Sequence, residues 1–151
     1  MNQKLICQNR KATHEYHILE KWEAGLSLSG TEVKSLREGS CQIAEAFVLE
    51  KGGDLYLQNS TIGIYKQGNR WNHEQNRQRK LLLHKREINH IIDGIHKKGC
   101  TAIPLKMYFK DSWVKVELAL CRGKDQIDKR QDKFKQEAKR EMERVLKAHR
   151  R

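Results

Sequence analysis

Up to residue 121 the chain alternates polar and apolar positions in short runs broken by glycine; beyond it the alternation stops. In "YHILEKWEAGLSLSG" the apolar residues lead to Gly25, a pattern that predicts a strand, a bend at that glycine and a second short strand. "GTEVKSLREG" predicts a short helix with Thr31 as N-cap. Its Glu32 faces the positive end of the dipole, Val33 and Leu36 share a face, and Gly39 is the stop. "AFVLEKGGDLYLQN" alternates Phe47/Leu49 and Leu55/Leu57 around Gly52-Gly53-Asp54, the signature of a hairpin, and "STIGIY" continues as a further strand.

Residues 69–80, "NRWNHEQNRQRK", carry no apolar period and predict a loop. In "LLLHKREINHIIDGIHKKG", Leu81, Ile88, Ile91, Ile92 and Ile95 fall at helical spacings and Gly99 ends the run. "TAIPLKMYFKDSWVKVELALC" predicts a second hairpin: Ile103/Leu105/Met107/Phe109 and Val114/Val116/Leu118/Leu120 alternate around Lys110-Asp111-Ser112. The sole proline, Pro104, belongs where no ladder donor is needed. About six short strands with interposed helices imply a fold mainly of β structure with some α, a small antiparallel barrel rather than a parallel sheet. An oligonucleotide-binding (OB-type) barrel with flanking helices is the form that suits the charge.

In residues 122–151 apolar side chains thin out to Phe134, Ala138, Met142 and Val145/Leu146, one narrow helical stripe among Lys and Arg. Such a stripe anchors a helix poorly, and an isolated helix of this length is marginal in water. The chain therefore divides into a body, 1–121, and a basic tail, 122–151, expected to be disordered when free and helical when bound. The alternative is a helix lying permanently on the body.

Charge points to the partner. Against 19 Asp+Glu stand 31 Lys+Arg, a net charge of +12, and residues 122–151 hold 12 of the basic and 6 of the acidic groups, half of the net charge in a fifth of the length. That calls for a polyanion, and nucleic acid comes ahead of a membrane surface because no apolar run approaches the ~20 residues of a bilayer span. With no hydrophobic signal segment at the start, a cytoplasmic location is expected. Cys7, Cys41, Cys100 and Cys121 form no C-x-x-C pair and the seven histidines no metal pattern, so free thiols and no metal or cofactor are expected.

The densest basic run of the body is Arg77, Arg79 and Lys80, followed by His84-Lys85-Arg86 and preceded by Trp71, Asn72 and His73. Guanidinium forks that grip phosphate and a ring that stacks on a base make this an RNA-contact candidate. Asn9-Arg10-Lys11 with His14 is a second, weaker cluster. His14, His73 and His84 are the histidines flanked by basic groups, as a nuclease would need, but spacing alone does not bring two imidazoles onto one phosphate, and no catalytic residues are assigned.

In their order and spacing, "NRKATHEY", "EAGLSLSGTEVKSLREG", "RKLLLHKREI", "KKGCTAIPLKMYFK", "WVKVEL" and "RGKDQIDKR" resemble the small protein B (SmpB) family, the bacterial tmRNA-binding proteins, over nearly the whole chain. The resemblance implies a non-enzymatic factor of trans-translation. Such a factor binds the tRNA-like domain of tmRNA and delivers it, with EF-Tu, to stalled ribosomes. Its barrel stands in for an anticodon arm, and its tail folds in the empty message channel against small-subunit rRNA. The nascent chain is then tagged for degradation. By the same resemblance the tmRNA surface comprises Asn9, Arg10, Lys11, Glu23, Glu32, Lys34, Arg37, Leu82 and Lys115; Glu23 either accepts a base or ribose proton or serves the body's own structure. The ribosome-binding tail residues are Lys124, Asp128, Lys129, Arg130, Lys133, Lys135, Arg140, Val145 and Leu146. Two positions depart from the family pattern: Ile127, where relatives commonly have His or Tyr before "DKR", and Gln75, where they commonly have Pro.

Overall fold

The computed structural model describes residues 3–124 and 126–149, with the side chains of 69–71, 126–129 and 131–132 outside the description. The elements run β1 (Gln3–Gln8), α1 (Ala12–Glu15), β2 (Tyr16–Leu26), α2 (Gly30–Arg37), β3 (Cys41–Gln42), β4 (Phe47–Lys51) and β5 (Asp54–Gln58). There follow β6 (Thr61–Ile62), a 3-10 turn (Lys66–Trp71), β7 (Arg79–Leu82), α3 (Lys85–Ile95), β8 (Cys100–Lys110), β9 (Trp113–Gly123) and α4 (Gln126–His149). Seven strands form one antiparallel sheet in the order β1-β8-β9-β2-β7-β5-β4, and β3 pairs with β6 apart from it. The β4–β5 connection is a two-residue turn at Gly52 and Gly53, both at positive φ (62° and 83°), which is why two glycines stand there.

One face of the sheet buries the main core. Ala24 and Leu26 of β2, Leu81 of β7, Met107 of β8 and Val116 and Leu118 of β9 meet Leu55 and Leu57 of β5, Leu36 of α2 and Ile91 of α3. α3 lies against β8 and β9, and its Gly94 lets it come close: a Cβ there would stand 2.5 Å from Leu120 Cδ2. Glu20 accepts a hydrogen bond from His90 Nε2 (2.7 Å) and Glu50 one from His96 Nε2 (2.8 Å), tying the helix to β2 and β4.

Several elements differ from the sequence pattern, each for a local reason. β2 is one strand of eleven residues that runs through Gly25, because β7 and β9 pair on either side of that glycine; its irregularity is a bulge between Ile18 and Glu20. The N-cap of α2 is Ser29, two residues before Thr31: its Oγ accepts from the Glu32 amide (3.4 Å) while Glu32 accepts from the Ser29 amide (2.8 Å), a capping box. Asp54 belongs to β5, opposite Lys51, rather than to the turn. "STIGIY" supplies only the short β6. Leu81 is a strand residue opposite Leu26, not the start of α3; a short apolar run fits both periods, and pairing with β2 decides it.

The second hairpin is correctly placed but does not keep one face. A bulge between Pro104 and Lys106 switches β8, so Met107 and Phe109 enter the main core while Ile103 joins Ala12 and Cys121 in a smaller cluster under α1. Pro104 lies at that bulge, beyond the end of β1, where its missing donor matters least. β9 continues through Arg122 and Gly123, opposite His17 and Tyr16, two residues past the expected end of the body.

Candidate nucleic-acid interface

The two faces of the sheet have opposite chemistry. On the outer face, Lys106 lies opposite Glu117, Tyr108 opposite Lys115 and Lys110 opposite Trp113. β2 continues the row: Gly25 sits between Lys115 on β9 and Leu82 on β7, and Glu23, two residues back, points the same way. A glycine at the centre of that row leaves a cleft lined by Glu23, Leu82, Leu83, His84, Glu87 and Lys115. Beside it, a second cleft is walled by Leu28, Val33, Leu82, Trp113 and Lys115. Trp113 is 72% exposed and Leu82 51%, so an exposed aromatic plane and a half-exposed aliphatic edge flank a lysine.

Glu23 is organised within this face. Its carboxylate accepts from the Tyr108 hydroxyl and from Lys110 Nζ (3.3 Å). The Tyr108 bond, helped by Lys110 and Lys115, holds its pKa below the usual carboxylate value against a smaller opposing effect of burial. Burial, and then Glu23, push the Tyr108 phenol up. Lys106 Nζ stands 5.4 Å from the centre of the Tyr108 ring. Lys106, Tyr108, Lys110 and Trp113 were not among the residues expected to bind; the alternation of β8 and β9 was the signal that could have placed them outside.

Glu32 and Arg79 lie elsewhere, and this corrects their expected role as surface contacts. Both side chains are fully buried and bonded to each other. The Glu32 carboxylate also takes Arg77 Nη2 at 2.6 Å. Burial would raise its pKa, but the donors from Arg77, the Ser29 amide and Arg79 outweigh it and hold the group at about 2. The remaining donors of Arg79 reach the carbonyls of Ser60 (3.0 Å), Arg77 (3.0 Å), Glu74 (3.4 Å) and Gln75 (3.1 Å) and the Ser60 hydroxyl (3.1 Å). The guanidinium thus pins the loop before β7 to α2, with every N–H used. Gln75 takes part through its backbone, which also accepts from the Ile62 amide at 3.0 Å.

Other candidates divide in the same way. Arg10, Lys11, Lys34, Arg37 and Lys80 are exposed and Arg77 is half-buried. Lys34 Nζ lies 5.5 Å from the centre of the Tyr65 ring, Lys11 pairs with Glu45 (3.7 Å) and Lys80 with Asp54 (3.7 Å). Asn9 is buried: its amide donates to Leu105 O (2.7 Å) and its Nδ2 to Pro104 O (3.3 Å), so it serves the β8 bulge, with Oδ1 unbonded among the described residues. His73 donates from Nε2 to Ile62 O (3.0 Å) and accepts from the Thr31 hydroxyl at Nδ1 (2.9 Å), which engages both ring nitrogens structurally. The side chains of Trp71, Ile127, Asp128 and Lys129 lie outside the described residues.

α4 leaves the body just after Lys124, whose amide donates to Glu15 O (2.8 Å) and whose Nζ donates to Thr13 O (2.8 Å). Along it Arg130, Lys133, Lys135 and Arg140 are exposed, and so are Phe134, Met142, Val145 and Leu146. Among the described residues the apolar stripe is thus exposed.

The family model of the SmpB protein matches residues 6–148. The chain belongs to the SmpB family. Among its relatives is the SsrA-binding protein of Carboxydothermus hydrogenoformans, 51% identical over 97% of this chain and 98% of its own. That of Desulforudis audaxviator is 53% identical over 95% and 94%. A solved chain described as "tmRNA-SmpB: a journey to the center of the bacterial ribosome" superposes with a TM-score of 0.67 at 44% identity, over 82% of this chain and 91% of that one. In this SmpB-family chain no helix among the described residues is long and apolar enough to cross a membrane.

Proposed function

We propose that this protein is the tmRNA-binding factor of trans-translation: a non-enzymatic RNA-binding protein that holds tmRNA and acts with it on the ribosome. The outer sheet face carries the reading. Lys115, Gly25 and Leu82 stand in one row across three strands, with Trp113 exposed beside them, joining a phosphate-binding charge to surfaces for stacking and apolar contact. The SsrA-binding names of relatives half identical over nearly their full length agree with it.

The sheet suits an OB-type barrel, since β4, at the far end of the strand order, comes back against β8 around a single main core. The body binds the tRNA-like domain of tmRNA, and the complex is delivered with EF-Tu. α4 then enters the message channel, where its basic residues meet small-subunit rRNA and its bare apolar stripe finds the partner the body does not provide. Lys124, bonded to residues 13 and 15, marks the junction between body and tail. For the free tail, the thin stripe argues for a marginal helix that ribosome binding stabilises.

Sequencing the RNA that co-purifies with the full-length protein tests this reading. One dominant species with a tRNA-like end is expected; a broad sample of ribosomal RNA would overturn it. Removing residues 124–151 tests the division of labour: tmRNA affinity stays within a few-fold while tagging of nascent chains is lost.

A further inference from the structure

The clusters the RNA reading leaves unused include one of sulfur. Cys7 Sγ on β1 and Cys41 Sγ on β3 are 2.6 Å apart, well inside the contact distance of two non-bonded sulfurs, and the Met107 thioether lies 3.9 Å from Cys41. Both thiols are free and both residues partly accessible. The contact joins strands from distant parts of the chain, 34 residues apart in sequence, and β1 and β3 have no ladder between them to account for it.

We propose that Cys7 and Cys41 are a paired thiol site that a hydroperoxide oxidises to a reversible intramolecular disulfide. The Cys7 thiolate attacks the peroxide O–O bond, takes one oxygen to become a sulfenic acid and releases water, or an alcohol from an organic peroxide. The Cys41 sulfur then attacks Cys7 Sγ, the S–O bond breaks and a second water leaves, so two thiols and one hydroperoxide yield one disulfide, one water and one further water or alcohol. The direction of attack follows from the pair: the hydrogen bond from Cys41 lowers the Cys7 pKa against the opposing effect of burial, while Cys41 is raised, chiefly by Cys7 and then by burial.

The other two cysteines provide the contrast. Cys121 is fully buried, its thiol donates to Thr101 O at 3.5 Å, and burial pushes its pKa up to about 12. Cys100 lies opposite Arg122, one step out of register with Cys121, so the two thiols point to opposite faces of the hairpin. A Cys7–Cys41 bond would fasten the strand that leads into Asn9, Arg10 and Lys11 to the segment that follows α2 with its Lys34 and Arg37. The site itself stands whether or not tmRNA is the partner.

The test uses the full-length protein and hydrogen peroxide, with quenching by N-ethylmaleimide and a non-reducing peptide map. Two of the four thiols should disappear in a monomer, a linked Cys7–Cys41 peptide should appear, and dithiothreitol should restore both. Linkage through Cys100 or Cys121, sulfinic acid on Cys7 without a cross-link, or methionine oxidation before any thiol loss would each overturn the proposal. In Cys41→Ser the sulfenic acid has no partner, so dimedone should label Cys7; label on Cys100 or Cys121 would overturn the order of attack. Should that variant not fold, the wild-type map decides alone.

Discussion

Glu32 and Glu23 are two acids set among basic side chains, nine positions apart, and the family resemblance implies an RNA surface for both, with a structural role as the alternative for Glu23. The structure treats them oppositely. Glu32 is fully buried between Arg77 and Arg79 and serves as the fastening of α2 to the loop before β7. Glu23 lies on the open face, held by Tyr108 and Lys110 and otherwise exposed. One is a strut and the other lies on the exposed face proposed to meet RNA. A carboxylate without exposure can shape an interface but cannot touch a partner, and the two should therefore fail in different assays.

The strongest way to break the comparison is Glu32→Ala. It leaves the Arg79 guanidinium buried and unpaired, a loss of about 3–5 kcal/mol. Urea unfolding should show that fall as a lower midpoint at an unchanged slope, and a loss below about 1 kcal/mol would mean the corner is solvated and Glu32 free to meet RNA. Acid probes the same corner with no substitution. The Glu32 pKa is about 2 when folded and about 4.3 in the unfolded chain. Because the folded value is depressed, its stabilisation is fully present above the unfolded pKa and is lost as pH falls from about 4 to 2, roughly 3 kcal/mol in all. Glu32→Gln should flatten the stability profile in that window; Glu23→Gln should flatten it far less, since its carboxylate is in part solvated.

How much of this was legible in advance follows the range of the interactions. The hairpins around Gly52-Gly53 and Asp111-Ser112, the isoleucine stripe of α3 and the bare stripe of α4 are local periods, and they read directly from the chain. The bulge at Pro104–Lys106 was not legible, because the residue that serves it, Asn9, lies 95 positions away. Nor was the burial of Arg79: "RQRK" looks like a solvated basic run until Glu32 and four backbone carbonyls surround one of its members. Lys34, Arg37, Lys115 and Leu82 were proposed through family likeness rather than physics, and the structure leaves Lys34, Arg37 and Leu82 exposed and Lys115 half-buried. Their neighbours Lys106, Tyr108, Lys110 and Trp113 needed the register of β8 and β9.

On the open face, Lys115→Ala sharpens the contrast. Stability should change by less than about 0.5 kcal/mol, as for a surface position. The plot of log affinity for tmRNA against log salt should become shallower by about 0.7–0.9, the effect of one lost phosphate contact. An unchanged slope would remove Lys115 from the interface and leave the row through Gly25 as an apolar contact alone.

The smallest expected effect separates two roles for Glu23. Tyr108→Phe removes one hydroxyl and keeps the ring under Lys106, so stability should fall by about 1 kcal/mol or less, the range of a single hydrogen bond partly open to water. If the phenol is what holds the Glu23 carboxylate in place, its carbon resonance should titrate at higher pH in the variant, moving toward the ordinary glutamate value, because the largest cause of its lowered pKa is gone. Affinity for tmRNA should then drop at constant salt slope, since no cation is lost and only the aim of an acceptor changes. A titration that stays where it was would show that Lys110 and Lys115 govern Glu23, and would leave Tyr108 as a buried ring beneath Lys106.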